Sequence, residues 1–131
     1  KLLGIVVLGL LLSGNSYAKD DLTGKKLYCE AGSYHMSFEF ITNQFVKWIE
    51  VSPFTVNNQY FEEYKNKYKS TLDQITIDTN VRGKIYINRE NLKTEFLQCE
   101  VFELKKNATM KKMMRDMFDY YTKDIKSKNK I

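Results

Sequence analysis

Between Tyr34 and Phe40 the chain alternates without a fault: Tyr34, Met36, Phe38 and Phe40 are interleaved with His35, Ser37 and Glu39. A period of two sends successive side chains to opposite faces, which defines a strand with one buried face and excludes an amphipathic helix. The neighbouring stretches obey the same rule. Lys26-Leu27-Tyr28-Cys29 reads as a short strand ended by Gly32, and Thr42-Asn43-Gln44 as a turn into a third strand, Phe45 to Val51. Pro53 then blocks regular pairing. Gln74–Asp78 and Lys84–Asn88 are rich in β-branched residues, with Val81-Arg82-Gly83 between them. Arg89-Glu90-Asn91 turns the chain into Leu92–Leu97, which runs on to Cys99. Short strands linked by turn signals predict an all-β domain, a small antiparallel meander closed as a barrel or packed as a sandwich.

Two stretches depart from this pattern. In Gln59 to Leu72, Tyr60, Glu62, Tyr64, Asn66 and Tyr68 share one face of a strand. Tyr60, Tyr64 and Tyr68 are also four apart, as a helix requires, and the surrounding meander favours the strand. The C-terminal stretch is helical: Met110, Met113, Met114, Met117, Phe118, Tyr121 and Ile125 recur at three and four, with Asn107 or Thr109 placed to cap the start.

Charge follows the same division. Residues 19–104 carry eleven Lys and Arg against thirteen Asp and Glu, a net of −2, whereas residues 105–131 carry nine against three, a net of +6. The formal +5 of the whole chain therefore belongs to the helix. Any attraction to an anionic surface is a property of that segment, with Lys111, Lys112, Arg115 and Lys123 as its contacts. The opposing reading packs the helix on the β body, with methionines filling gaps and lysines in water.

The first eighteen residues read as a secretory signal peptide: a basic start, an apolar run from Leu2 to Leu12, and the small-x-small exit Ser16-Tyr17-Ala18. Eleven apolar residues reach only about half way across a bilayer. Cleavage after Ala18 leaves a β domain over 19–104 and a basic amphipathic helix and tail over 105–131, in the periplasm or outside the cell. In an oxidising compartment Cys29 and Cys99, the only cysteines, are expected to bond. Closing so long a loop stabilises by about 4 kcal/mol in the chain-entropy picture.

Little chemistry remains. One histidine and two cysteines build neither a zinc site nor a histidine-rich cluster, and no glycine loop cradles phosphate. Nothing calls for a cofactor. His35 lies on the polar side of its strand and reads as an exposed surface histidine. A carboxylate-based enzyme would need Glu39 and Glu50 to converge across the first hairpin, since the adjacent Glu62 and Glu63 point to opposite faces. Trp48, Tyr60, Tyr64, Tyr68 and Tyr86 either line a ligand cavity or fill the interior, and interior filling is the expectation.

The stretches Leu22-Thr23-Gly24-Lys25-Lys26-Leu27-Tyr28-Cys29 and Ile87-Asn88-Arg89-Glu90-Asn91-Leu92, in a chain rich in lysine, asparagine and isoleucine, resemble small exported single-disulfide β proteins of marine, Pelagibacter-like alphaproteobacteria. That resemblance implies no activity. More loosely, Tyr28-Cys29-Glu30-Ala31-Gly32 with the late Cys99 is similar to periplasmic inhibitors of C-type lysozyme. This implies a disulfide-tied, lipocalin-like or lysozyme-inhibitor-like barrel. The inhibitory loop has no counterpart in Ser70–Asp73 or Asn80–Lys84, so the inhibitors' active residues are not carried over.

The expected protein is an exported, non-catalytic binding or inhibitor-like module, engaging an unknown protein or small ligand and no nucleic acid. The alternative is an envelope-associated protein whose helix docks on anionic membrane or on a membrane partner.

Overall fold

The computed structural model describes residues 21–52, 60–103 and 109–128. The signal-peptide reading, Asn107 and the boundary at 104/105 lie outside the described residues. Seven strands run in order along the chain: β1 (Lys26–Ala31), β2 (Tyr34–Phe40), β3 (Phe45–Ser52), β4 (Tyr60–Ser70), β5 (Gln74–Thr79), β6 (Gly83–Asn88) and β7 (Gln98–Val101). One helix, α1 (Met110–Lys128), follows. The strands form one antiparallel sheet in the order β6-β5-β4-β3-β2-β1-β7, curled into a half-barrel. This is the expected antiparallel meander with a C-terminal helix, in the barrel form and not the sandwich.

Local chemistry sets the turns. Gly32 takes a φ of 63°, where a side chain is disfavoured, and closes the two-residue β1–β2 connection. The Thr42 hydroxyl accepts the amides of Gln44 and Phe45 at 3.1 and 3.0 Å, shaping the β2–β3 turn without glycine. The stretch from Tyr60 to Ser70 is a strand, so its tyrosines follow the period of two.

The alternation is answered on both faces. On the inner face Phe38 pairs with Trp48, and Trp48 with Tyr64. The Trp48 and Tyr64 rings stack at 4.3 Å, and Tyr68 meets Phe40 edge-on at 4.9 Å. Ile75, Ile77 and Ile87 complete this interior. Trp48, Tyr64 and Tyr68 thus fill the core as expected, whereas Tyr86 is half exposed. The Cys29–Cys99 disulfide links directly opposed residues of β1 and β7.

The outer face is covered by α1. Thr109 caps the helix, its hydroxyl accepting the Lys112 amide at 3.1 Å. Met114 is wholly buried against Tyr28, Ile49 and Val51, and Met113, Met117 and Phe118 pack around it. The helix is docked. It covers the polar side of β2, so His35 is 5% exposed, not the surface histidine the alternation predicts. Alternation reports which side chains share a face; it does not report what is later laid over that face.

Leu92–Leu97 is the second difference. Asn88 Oδ1 accepts the amides of Glu90 and Asn91, Leu92 sits at a φ of 56°, and Thr94 captures the Leu97 amide through its hydroxyl and its carbonyl partner through its own N–H. These side chain–backbone bonds outcompete ladder pairing, and the segment folds as a double turn before β7.

Candidate functional site

The half-barrel has a seam between β6 and β7. At one end it is shut: the Asn88 amide donates to the Lys93 carbonyl at 2.9 Å, and the Asn88 carbonyl accepts the Leu92 amide at 2.8 Å. Away from Asn88 the two sides diverge around a cleft of about 270 Å³. Arg82, Lys84, Ile85 and Tyr86 form one wall, Thr94 to Leu97 the other, and Tyr34 and Met36 the floor. Phe96 is 66% exposed and meets Tyr34 edge-on at 6.1 Å.

Beside the floor lies a carboxylate. Glu50 occupies an inner-face position of β3, opposite Met36 on β2, and is 1% exposed. Burying an ionised carboxylate costs several kcal/mol unless it is paired and hydrogen-bonded. Arg82, reaching in from the β5–β6 turn, donates from Nε to Glu50 Oε2 at 3.2 Å and from Nη2 to Oε1. The Tyr34 hydroxyl also donates to Oε1. Burial and this bond to a carboxylate push the Tyr34 phenol well above its ordinary pKa. Arg82 keeps its side chain 45% exposed, so the cluster is a charged bracket at the mouth of an apolar cleft.

A second polar cluster lies on the other face, under α1. The His35 ring stacks between Tyr28 and Tyr121, at 5.8 and 5.9 Å. Tyr28 Oη lies 3.2 Å from Glu30 Oε2, to which it donates, and 2.5 Å from His35 Nδ1. Nδ1 must then carry the proton and donate to Tyr28, leaving Nε2 to accept from the Tyr121 hydroxyl at 3.0 Å. Burial depresses the His35 pKa, opposed by Glu30. The imidazole is held neutral.

Three of the four basic residues read as anionic-surface contacts meet groups of the protein itself. Lys111 pairs with Glu63 of β4 at 3.0 Å, and Lys112 with Asp116 at 2.8 Å. The Arg115 guanidinium lies 3.8 Å over the Phe61 ring. Lys123 is exposed toward the far end of α1. The apolar side that a surface-lying helix would bury in lipid is spent on the sheet, with Met110 and Met114 both buried. Among the described residues no helix is long and apolar enough to cross a membrane.

Glu39 and Glu50 do not converge. Glu39 faces outward opposite Lys47, whereas Glu50 faces inward opposite Met36. Glu62 and Glu63 occupy opposite faces, as expected, with Glu62 across from Glu50. Among the described residues no group of three metal-ligating side chains is assembled. No protein-family model, curated protein or solved structure matches the chain.

Sequence reasoning passed over Tyr34, Arg82, Lys84 and Phe96 as site residues. One signal was available. Val46, Trp48 and Glu50 share a parity on β3, so a carboxylate stood where the pattern demanded an apolar side chain.

Proposed function

We propose that this chain is an exported, non-catalytic binding module of the bacterial periplasm, and that its site is the cleft between β6 and the 94–97 turn. The observation that carries the reading is the pairing of an apolar cleft with a bracketed charge: Phe96, Tyr86, Ile85 and Met36 beside Glu50, Arg82 and Tyr34. Recognition sites commonly combine an apolar lining with a few fixed polar groups. Export is supported by the leader-like start of the sequence and by the Cys29–Cys99 disulfide, which suits an oxidising compartment.

The test is solution NMR of the oxidised protein titrated with the aromatic anionic dye 1-anilinonaphthalene-8-sulfonate. Shifts confined to Met36, Ile85, Tyr86 and Phe96, with affinity at least about fivefold weaker in Phe96→Ala, are expected from loss of an exposed aromatic wall. Shifts that centre on α1, or no shifts at all, overturn the reading.

A further inference from the structure

The cleft is lined by three consecutive residues of β6, Lys84, Ile85 and Tyr86. Successive strand residues point to opposite faces, so a cleft that touches all three runs along the strand's edge and not over one of its faces. β6 is the terminal strand on that side of the sheet.

The hydrogen bonds show which backbone groups that edge offers. Arg89 donates to the Asp73 carbonyl of the neighbouring hairpin arm at 2.8 Å, whereas the Asn88 amide and carbonyl are turned to Lys93 and Leu92. Backbone polar groups alternate in direction along a strand. The amides and carbonyls of Tyr86 and Lys84 therefore point the way Asn88 does, into the cleft, and those of Ile85 and Ile87 point to β5. Among the described residues, neither Lys84 nor Tyr86 has a backbone partner on that side. Two amides and two carbonyls, evenly spaced, face an apolar gap.

Resting on the binding reading above, we infer that the cleft takes a short extended peptide segment of a partner protein, added antiparallel to β6 as a further strand. Strand addition draws affinity from main-chain bonds and specificity from pockets for alternate side chains. About 270 Å³ lies just under the range of small-molecule pockets, roughly 300–1,000 Å³, and suits a few alternate side chains better than an enclosed ligand. The inward-facing side chains of the segment are apolar, meeting Met36, Ile85 and Leu97. Lys84 stands at one end of the edge, where an antiparallel segment places its C-terminal side, so that position carries a carboxylate.

The probe is a capped seven-residue peptide of alternating threonine and valine ending in glutamate, titrated into the oxidised full chain and followed by NMR. Binding is expected to slow amide exchange at Lys84 and Tyr86 at least about tenfold at saturation, because both amides become bonded. In this register the threonine amides face β6, so N-methylating them weakens binding at least about tenfold. Tyr86→Pro removes one edge amide without touching a β5–β6 bond and gives the same loss. The N-methylated peptide leaves the protein unaltered and decides the matter if that variant does not fold. Equal binding of the methylated and parent peptides, or protection outside β6, overturns the proposal. If the peptide does not bind while the dye still occupies the cleft, the peptide class is wrong and the binding reading stands; if neither binds, both fall.

Discussion

The two faces of this sheet solve the same problem, a titratable group out of water, in opposite ways. On the inner face Glu50 is held by a guanidinium and a phenol, beside a cleft open to solvent. On the outer face His35 is held between two tyrosines, with the exposed Glu30 carboxylate 4.0 Å from its Nδ1. A carboxylate cannot be buried cheaply as an ion and needs Arg82; an imidazole can shed its proton and needs only a fixed tautomer. The inner cluster thus keeps a charge where a ligand can approach, whereas the outer cluster removes one where a helix must pack.

That contrast can be broken in stages. Met114→Ala takes away the cover of the outer cluster without altering a polar atom, and should cost about 3 kcal/mol in urea unfolding, the usual loss for truncating a buried methionine. Arg82→Met leaves Glu50 buried without its partner. The loss should be about 2 kcal/mol at pH 7, below that of a fully buried pair because Arg82 is half exposed. Adding Glu50→Gln to this variant should recover part of the loss, since a neutral amide needs no countercharge; no recovery would show that Arg82 acts only by packing.

His35 gives the contrast its pH dependence. Its folded pKa lies below the ordinary 6.5, so its contribution is intact above that value and is lost as the pH falls through 6.5 toward the folded value. The wild-type protein should lose stability over that window in proton-linked unfolding, and His35→Gln should flatten the slope. The smallest effect belongs to Lys111 and Glu63, an exposed pair between α1 and β4. Lys111→Ala should cost under about 0.5 kcal/mol, vanishing at high salt.

The strands were legible because alternation is a local property. Tyr34 to Phe40, Phe45 to Val51 and the isoleucines of β5 and β6 declare their faces within a few residues, and the helix is as plain in its spacing of methionines. The candidate site was not, for a physical reason. Arg82 and Glu50 are 32 residues apart and meet only because the β5–β6 turn reaches over the mouth of the half-barrel. His35 was misread because a polar side chain on a strand's outer face looks the same whether water or a helix lies above it. The 92–97 turn was hidden in side-chain capture by Asn88 and Thr94, which interrupts a stretch otherwise suited to a strand.

The open strand position beside β6 is tested most directly by amide hydrogen exchange along that strand in the unliganded, oxidised protein. Slow exchange is predicted at Ile85 and Ile87, which bond to β5, and at Asn88, which bonds to Lys93, with fast exchange at Lys84 and Tyr86. Slow exchange at all five would contradict it, because the edge would already be filled.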